Sequence, residues 1–152
     1  MPTIRFRHAT TSTPEQFVAG LTDFGPGRST LFGNSADDYL KVHGRGPAQA
    51  DVTEGSGGIR ERLHYDWSRP ERVVMTTTDS NVWGGASRHE YTLTRRTDGF
   101  TMVDALVVRE GKNLKGRLLG IVLGSIGQGV LRKAFVNSLR AIERRNVGAI
   151  PT

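Results

Sequence analysis

The sequence predicts a single α+β domain in which a curved antiparallel sheet of about seven strands wraps around a long C-terminal helix. Residues 39–110 read as short strands separated by turn residues, whereas residues 113–145 show helical periodicity. No repeat, linker or low-complexity tract divides the 152 residues. Because one helix cannot cover both faces of so many strands, the sheet must curl around it.

The chain begins with a predicted strand and two short helices. Residues 3–10 alternate loosely between apolar and polar side chains, which predicts a strand. Thr13, followed by Pro14 and Gln16, forms a capping box at the start of a helix. A Gly-Pro-Gly segment ends that helix, and residues 28–33 predict a second short one.

Six further strands are predicted after these helices. Asp98-Gly99 is a strong hairpin signal between the last two. Short turns between consecutive strands indicate an antiparallel meander. The predicted strands cover residues 39–44, 48–54, 59–67, 72–78, 88–96 and 100–109.

The long helix is predicted over residues 113–145, and glycines in its first half predict a bend or break near its middle. Its second half carries a single apolar stripe. We therefore expect one domain over residues 1–145 and a tail over residues 146–152. The stripe consists of Leu131, Phe135, Ser138, Leu139 and Ile142.

Four segments carry a resemblance to a known superfamily: GIRERLHYDW at 58–67, SRPERVV at 68–74, TDSNVW at 78–83 and SRHEY at 87–91. Over about residues 2–145 the chain resembles small stand-alone bacterial members of the START-like superfamily, also called the polyketide cyclase/dehydrase and lipid transport (SRPBCC) superfamily. The resemblance implies a helix-grip fold with a deep cavity between sheet and helix. Members of this superfamily range from lipid carriers to aromatic cyclases, and they share no universal catalytic motif.

Composition excludes several kinds of chemistry. The chain has no cysteine, which excludes disulfides, a thiolate nucleophile and cysteine-bound metal. Its four histidines lack metal-ligand spacing, and no phosphate-binding loop is present, so we expect no cofactor and no metal. The N-terminus lacks the apolar segment of a signal peptide, and we expect a cytoplasmic protein.

Period-two alternation identifies the residues that face the helix. In the strand at 59–67 one face carries Glu61, Leu63, Tyr65 and Trp67, and in the strand at 88–96 it carries His89 and Tyr91. These side chains either fill a packed core or line a cavity, and the resemblance favours a cavity. The candidate ligand-binding residues are Phe24, Phe32, Leu63, Tyr65, Trp67, Trp83, His89, Tyr91, Leu119, Val122, Leu123 and Ile126.

Two polar features suggest more specific roles. Glu61 and His89 form either a proton-transfer pair or a structural ion pair. Trp83, in a glycine-flanked loop, is either a lid at the cavity entrance or a plug against the end of the sheet. Glycines 116, 120 and 124 have the spacing of a dimerisation motif, but are better suited to close packing or to leaving room for a ligand.

The excess positive charge lies in the C-terminal segment. Residues 109–145 hold 9 Lys/Arg and 2 Asp/Glu, a net of +7, and the rest of the chain has a net of −1. This face is either simply solvated or a docking surface for an anionic membrane or nucleic acid. Its basic residues are Lys112, Lys115, Arg117, Arg132, Lys133, Arg140, Arg144 and Arg145.

Three functions follow from these features. The leading hypothesis is binding of a small hydrophobic molecule such as a lipid, a polyketide or an isoprenoid. The second is a cyclase- or dehydratase-type enzyme in which Glu61 or His89 moves a proton. The third is a regulatory module that uses the basic face; for it we expect a membrane rather than nucleic acid, because stacking aromatics are missing there. The sequence leaves the oligomeric state open.

Overall fold

The computed structural model describes residues 3–125 and 128–148. Within these ranges the chain forms seven strands, three α-helices and one short 3-10 turn. In chain order they are β1 (Thr3–Thr10), α1 (Pro14–Leu21), the 3-10 turn (Arg28–Thr30), β2 (Lys41–Arg45), β3 (Gln49–Ser56), β4 (Ile59–Arg69), β5 (Arg72–Ser80), β6 (Arg88–Arg95), β7 (Thr101–Val108), α2 (Leu114–Ser125) and α3 (Gln128–Gly148).

The strands form one antiparallel sheet in the order β1-β7-β6-β5-β4-β3-β2. β2 to β7 each pair with their neighbours in the chain, whereas β1 pairs with β7, with Thr3 opposite Val108 and Thr10 opposite Thr101. The predicted α+β class and the curved sheet of seven strands with a long C-terminal helix are confirmed.

Two local predictions are confirmed by their hydrogen bonds. Thr13 caps α1: its hydroxyl accepts from the backbone N–H of Gln16 at 3.1 Å, and its own N–H donates to Gln16 Oε1 at 2.9 Å. The β6–β7 connection is the hairpin expected at Asp98-Gly99, where Gly99 has φ of 90°, in the left-handed region that glycine adopts without strain.

The segment after α1 differs from its prediction. The helix expected at 28–33 is the 3-10 turn only, and the Thr30 hydroxyl donates to the carbonyl of Gly27 at 2.7 Å. Such local bonding competes with helix continuation. The strand expected at 39–44 begins at Lys41, because the N–H groups of Tyr39 and Leu40 bond back within a turn at 3.1 and 3.3 Å.

The C-terminal helix predicted as one element consists of α2 and α3, whose axes differ in direction by 78°. The glycine-rich middle of the segment predicted such a break. Ile126 and Gly127, between the two helices, lie outside the described residues. α3 continues to Gly148, three residues beyond its predicted end.

The main core lies between the concave face of the sheet and two helices. α1 contributes Phe17 and Leu21, and α3 contributes Leu139 and Ile142. The helices approach closely at Gly20, where an added Cβ would lie 3.0 Å from Ile142. Among the described residues no single helix is long and apolar enough to cross a bilayer, although α2 and α3 satisfy that test together as a bent pair.

Candidate functional site

A cavity of about 410 Å³ lies between the concave face of the sheet and the C-terminal helices. β1, α1, the loop after α1, strands β3 to β7, α2 and α3 all contribute to its lining. Gly33, Asn34 and Ala134 are exposed members of this lining. The mouth therefore lies between the 33–34 loop and the N-terminal half of α3, and the interior is not filled by side chains.

Most of the cavity wall is apolar. On one side, Phe6 of β1 stacks on Phe135 of α3 with ring centroids 5.7 Å apart. On another, Phe17 meets the ring of Tyr91 edge-on at 5.4 Å. A wall of this kind favours an apolar guest by removing its surface from water. The apolar lining includes Leu21, Leu63, Met75, Ala105, Val107, Leu123, Leu131 and Leu139.

A buried cluster around Arg28 occupies one end of the cavity. Arg28 donates through Nε to Glu54 Oε1 at 2.7 Å, through Nη1 to the carbonyl of Asp23 at 2.6 Å, and through Nη2 to the hydroxyl of Tyr65 at 3.2 Å. Tyr65 in turn donates to Glu54 Oε2. Burial and the carboxylate of Glu54 raise the pKa of Tyr65 well above its usual value, so the phenol stays protonated.

The aromatic rings of two residues sandwich the guanidinium of Arg28. Its centre lies 4.7 Å from the ring centroid of Phe24 and 4.8 Å from that of Phe32. Cations and aromatic faces attract each other most strongly when water is excluded. Arg28 is thereby fixed in position, with the three donor atoms described above already occupied.

A second buried cluster surrounds Arg109. Its Nη1 donates to Glu61 Oε2 at 2.6 Å, and the hydroxyl of Thr77 donates to the same oxygen. Its Nη2 lies 3.1 Å from His89 Nε2, and its guanidinium lies 5.0 Å from the ring centroid of Trp83. The two clusters together contain two arginines and two glutamates, so their formal charges cancel.

The environment of His89 fixes its protonation. Arg109 Nη2 can only donate, so His89 Nε2 must accept and the proton of the neutral ring sits on Nδ1. Burial and the charge of Arg109 hold the pKa of His89 well below its usual value. Nδ1 is buried and has no hydrogen-bond partner. His89 is therefore a neutral imidazole without a free lone pair.

Several polar atoms of the lining have no hydrogen-bond partner among the described residues; Trp83 Nε1 and Ser138 Oγ are two of them, and two others belong to Tyr91 and Glu61. The hydroxyl of Tyr91 and Oε1 of Glu61 make no hydrogen bond within the described part of the chain, yet neither is a buried unpaired atom. They therefore keep accessible surface on the cavity side. Burial raises the pKa of Tyr91 to about 12, so its hydroxyl can donate as well as accept.

The predicted candidate residues divide between the cavity and its surroundings. Eight of the predicted positions line the cavity. Phe24 packs edge-on against Tyr65 at 5.0 Å behind the wall, and the ring of Trp67 lies 5.6 Å from the guanidinium of Arg45; neither is part of the lining. The eight predicted residues that do line the cavity are Phe32, Glu61, Leu63, Tyr65, Trp83, His89, Tyr91 and Leu123.

The predictions for α2 need correction. Leu119, Val122, Leu123 and Ile126 were expected to share the cavity wall. Of the three that the structure describes, Leu123 lines the cavity, Leu119 is half-buried outside the lining and Val122 lies on the exposed face of α2. Ile126 lies outside the described residues.

Two further interpretations are revised by the geometry. Glu61 and His89 are not paired with each other, because the guanidinium of Arg109 lies between them. Trp83 is buried and bridges to Gly111, so it plugs the end of the sheet while lining the cavity, and is no lid over an open entrance.

Sequence reasoning missed three charged residues of the lining, and two had a usable signal. Arg109 shares the inward parity of Val103, Ala105 and Val107, and Glu54 shares that of Ala50 and Val52. Arg28 lies in an irregular segment where periodicity carries no information. Within residues 3–125 and 128–148, no cluster of three His, Asp or Glu side chains could hold a metal ion.

Comparison with known proteins identifies the fold. No family model and no curated protein sequence matches the chain. A protein from Thermus thermophilus superposes with a TM-score of 0.71 at 15% identity, covering 99% of this chain and 100% of the other. A START superfamily protein from Mycobacterium smegmatis gives 0.67 at 10% identity over 94% and 95% of the two chains.

A third solved structure has a described activity. The Zhui aromatase/cyclase from Streptomyces sp. R1128 superposes with a TM-score of 0.62 at 11% identity, covering 94% of this chain and 92% of that one. Full-length superposition at such low identity defines the architecture. The chain has the START-like helix-grip fold.

Proposed function

We propose that the protein binds a small, mostly apolar and uncharged molecule in the cavity, such as a neutral lipid, a polyketide or an isoprenoid. The observation that carries the proposal is the open space of about 410 Å³ with an apolar wall, which lies within the range of roughly 300–1,000 Å³ typical of small-molecule sites. Binders of small hydrophobic molecules are also the class that the fold suggests.

The charge balance of the lining favours an uncharged ligand. Arg28 and Arg109 are already neutralised by Glu54 and Glu61, so a charged ligand group would enter without a counter-ion. Burying such a group is costly. Each 100 Å² or so of apolar ligand surface removed from water would instead contribute about 2.5 kcal/mol before association costs.

The open polar atoms define how such a ligand would be oriented. Glu61 Oε1 can accept from a ligand hydroxyl, and the Tyr91 hydroxyl can donate to a ligand carbonyl or hydroxyl. A ligand with one or two oxygen atoms on an otherwise apolar body fits this arrangement. Because the site offers few polar groups, the body of the ligand would be selected by shape more than by hydrogen bonds.

Native mass spectrometry of the purified protein tests this proposal. We expect a species heavier than the bare chain by the mass of one small molecule, and organic extraction should release that molecule. If only the bare chain is seen, a neutral sterol and a long-chain alcohol are added. If the protein retains neither the sterol nor the alcohol, the proposal is contradicted.

A second candidate function is proton transfer by Glu61, which the free Oε1 atom inside the cavity favours. His89 has no lone pair available for this role, so the carboxylate alone would act as the base. It would remove a proton from the carbon next to a ligand carbonyl, exchange that proton with solvent, and return a proton (in D₂O, a deuteron) to the enolate. Deuterium exchange into dibenzoylmethane should then be faster with wild-type protein than with Glu61→Gln, and equal rates would reject this candidate.

The basic face is also proposed as a surface for a partner. In the structure, some of its residues form ion pairs and others do not. Arg140 pairs with Glu143 at 3.2 Å and Arg145 with Asp23 at 3.1 Å. Five others of the set have no ion-pair partner among the described residues, and four of these five lie on α2 or near the start of α3. The five are Lys115, Arg117, Arg132, Lys133 and Arg144. The cytoplasmic location expected from the N-terminal sequence stays a prediction.

A further inference from the structure

α2 presents four of its large apolar side chains to the outside. Leu114, Leu118, Ile121 and Val122 are 72%, 55%, 66% and 47% exposed, and their spacing of four, seven and eight residues puts them on one helical face. We call these four residues the α2 stripe. The protein side of the helix carries the buried glycines 116 and 120. A surface helix normally has the opposite arrangement, and contiguous exposed apolar residues indicate an interaction site.

The chain segment that carries the α2 stripe is basic, and Lys112 at its start lies 3.9 Å from Asp79 Oδ1. Residues 111–142 contain six Lys/Arg and no Asp/Glu. Lys115 and Arg117 lie on α2 itself, and Lys133 lies near the start of α3; all three are exposed and lack an ion-pair partner within the described ranges. Apolar side chains next to basic ones are the features of helices that lie in the interface of an anionic membrane.

We propose that the α2 stripe docks the protein on an anionic lipid bilayer, with its apolar side chains in the interfacial layer and Lys115, Arg117 and Lys133 on the lipid headgroups. Charge complementarity selects this occupant over a second copy of the chain. A two-fold contact would bring the same basic residues together, and residues 111–142 provide no acidic side chain to balance them. A bilayer containing acidic lipids supplies that negative charge across the whole surface.

The α2 stripe lies next to residues that line the cavity, which links membrane docking to ligand exchange. Leu123, directly after the stripe, and Leu131 of α3 both line the cavity. The segment just before α2 is held against the loop after β5, since the N–H of Lys112 donates to the carbonyl of Val82 at 2.9 Å. Docking does not depend on a ligand, but if the proposed function holds, the membrane would lie beside the cavity from which ligand is exchanged.

Vesicle flotation tests the docking directly. The vesicles contain phosphatidylcholine alone or equal parts of phosphatidylcholine and phosphatidylglycerol. We expect wild-type protein to bind only the anionic vesicles, and less at high salt. Combining Leu118→Ser with Ile121→Ser should weaken binding about tenfold or more, since each 1.4 kcal/mol is tenfold. Combining Lys115→Glu with Arg117→Glu should remove the salt-dependent part.

Two control variants and a test for dimer formation accompany the flotation experiment. Phe100→Ser removes an apolar side chain that is 41% exposed at the opposite end of β7 from α2, and Lys41→Glu reverses an exposed charge on β2; both should bind like wild type. Absent or charge-independent binding would overturn the proposal. Sedimentation showing a dimer that the serine variant dissociates, without vesicle binding, would assign the face to a second copy. Failure of flotation would leave the cavity test unaffected.

Discussion

Glu54 and Glu61 lie directly opposite each other in the pairing of β3 with β4, and each is bound by its own buried arginine. Arg28 reaches Glu54 from the loop after α1, and Arg109 reaches Glu61 from the end of β7. Like charges opposite each other on neighbouring strands are destabilising, so this arrangement depends on both arginines. It also makes the polar end of the cavity formally neutral, on which the proposed ligand class rests.

Replacing one arginine should therefore be far more damaging than replacing an exposed one. In Arg109→Met the carboxylate of Glu61 stays buried without its counter-ion, and we expect the free energy of unfolding to fall by roughly 3–5 kcal/mol. Urea unfolding measures this loss of unfolding free energy. Adding Glu61→Gln removes the buried charge and should recover part of the loss.

The matched control for Arg109 lies on the same sheet. Arg72 pairs with Glu90, but its side chain is 43% exposed, and such pairs contribute about 0–1 kcal/mol. Arg72→Met should therefore stay close to wild type. Equal losses for the two methionine variants would show that the Arg109–Glu61 pair is not effectively buried.

The two cavity tyrosines should respond differently to loss of their hydroxyl. Tyr65→Phe leaves Glu54 Oε2 and Arg28 Nη2 short of a buried partner, which should cost about 1–3 kcal/mol of unfolding free energy. Tyr91→Phe removes a hydroxyl without a protein partner and should change stability by no more than about 0.5 kcal/mol, while weakening a ligand that carries an oxygen. Thermal unfolding with and without ligand separates the two effects. A similar loss of stability in both variants would contradict the assigned hydrogen bonds.

The neutral state of His89 predicts a dependence of stability on pH. Because its pKa in the folded protein is well below the usual value, the unfolded chain binds the proton first as pH falls. The contribution of this residue to stability is therefore fully present above about pH 6.5 and is lost progressively below it. Melting temperatures from neutral to mildly acidic pH should fall more steeply for wild type than for His89→Gln.

An exposed histidine provides the comparison for His89. His43 lies on β2 with an exposed side chain, and His43→Gln should retain the steep acid loss of the wild type. If the acid-induced fall in melting temperature disappears in His43→Gln and persists in His89→Gln, a group other than His89 causes it.

The attachment of α2 depends on a glycine. A Cβ at Gly116 would lie 2.0 Å from the carbonyl oxygen of Val82, so Gly116→Ala should push the start of α2 away from the loop after β5 and cost about 1–3 kcal/mol. At Gly129 of α3 an added Cβ meets nothing within 4 Å, and Gly129→Ala should stabilise by up to about 1 kcal/mol. Thermal unfolding compares them; an equally stable Gly116→Ala variant would mean that α2 is not held there.

Much of the architecture could be predicted because local patterns agreed with the fold. The alternation in β4 and β6 correctly placed Leu63, Tyr65, His89 and Tyr91 on the concave face, since period two leaves little choice when one face is buried. The capping box at Thr13 and the turn at Gly99 fixed two connections for equally local reasons. The same parity would have identified Glu54 and Arg109 had it been followed to the ends of the strands predicted at 48–54 and 100–109.

The remaining features depend on tertiary structure. Arg28 is positioned by the rings of Phe24 and Phe32 and by a carboxylate 26 residues away, none of which leaves a periodic signal. The glycines predicted a bend between α2 and α3 but not how α2 is rotated about its own axis. That rotation turns Leu123 toward the cavity and leaves Val122 exposed. The position of Arg109 between Glu61 and His89 likewise depends on tertiary structure, because β6 and β5 separate the end of β7 from β4 in the sheet.

The central claim is that the cavity admits an apolar molecule through the mouth beside α3, and titration with the neutral dye Nile red tests it most directly. Wild-type protein should give saturable fluorescence with one dye per chain. Ala134→Trp, at the rim of the mouth, should bind at least about tenfold more weakly, a difference of about 1.4 kcal/mol. Asn137→Trp, exposed on α3 outside the lining, should bind like wild type. No saturable binding to the wild type, or equal binding by Ala134→Trp, would contradict the claim.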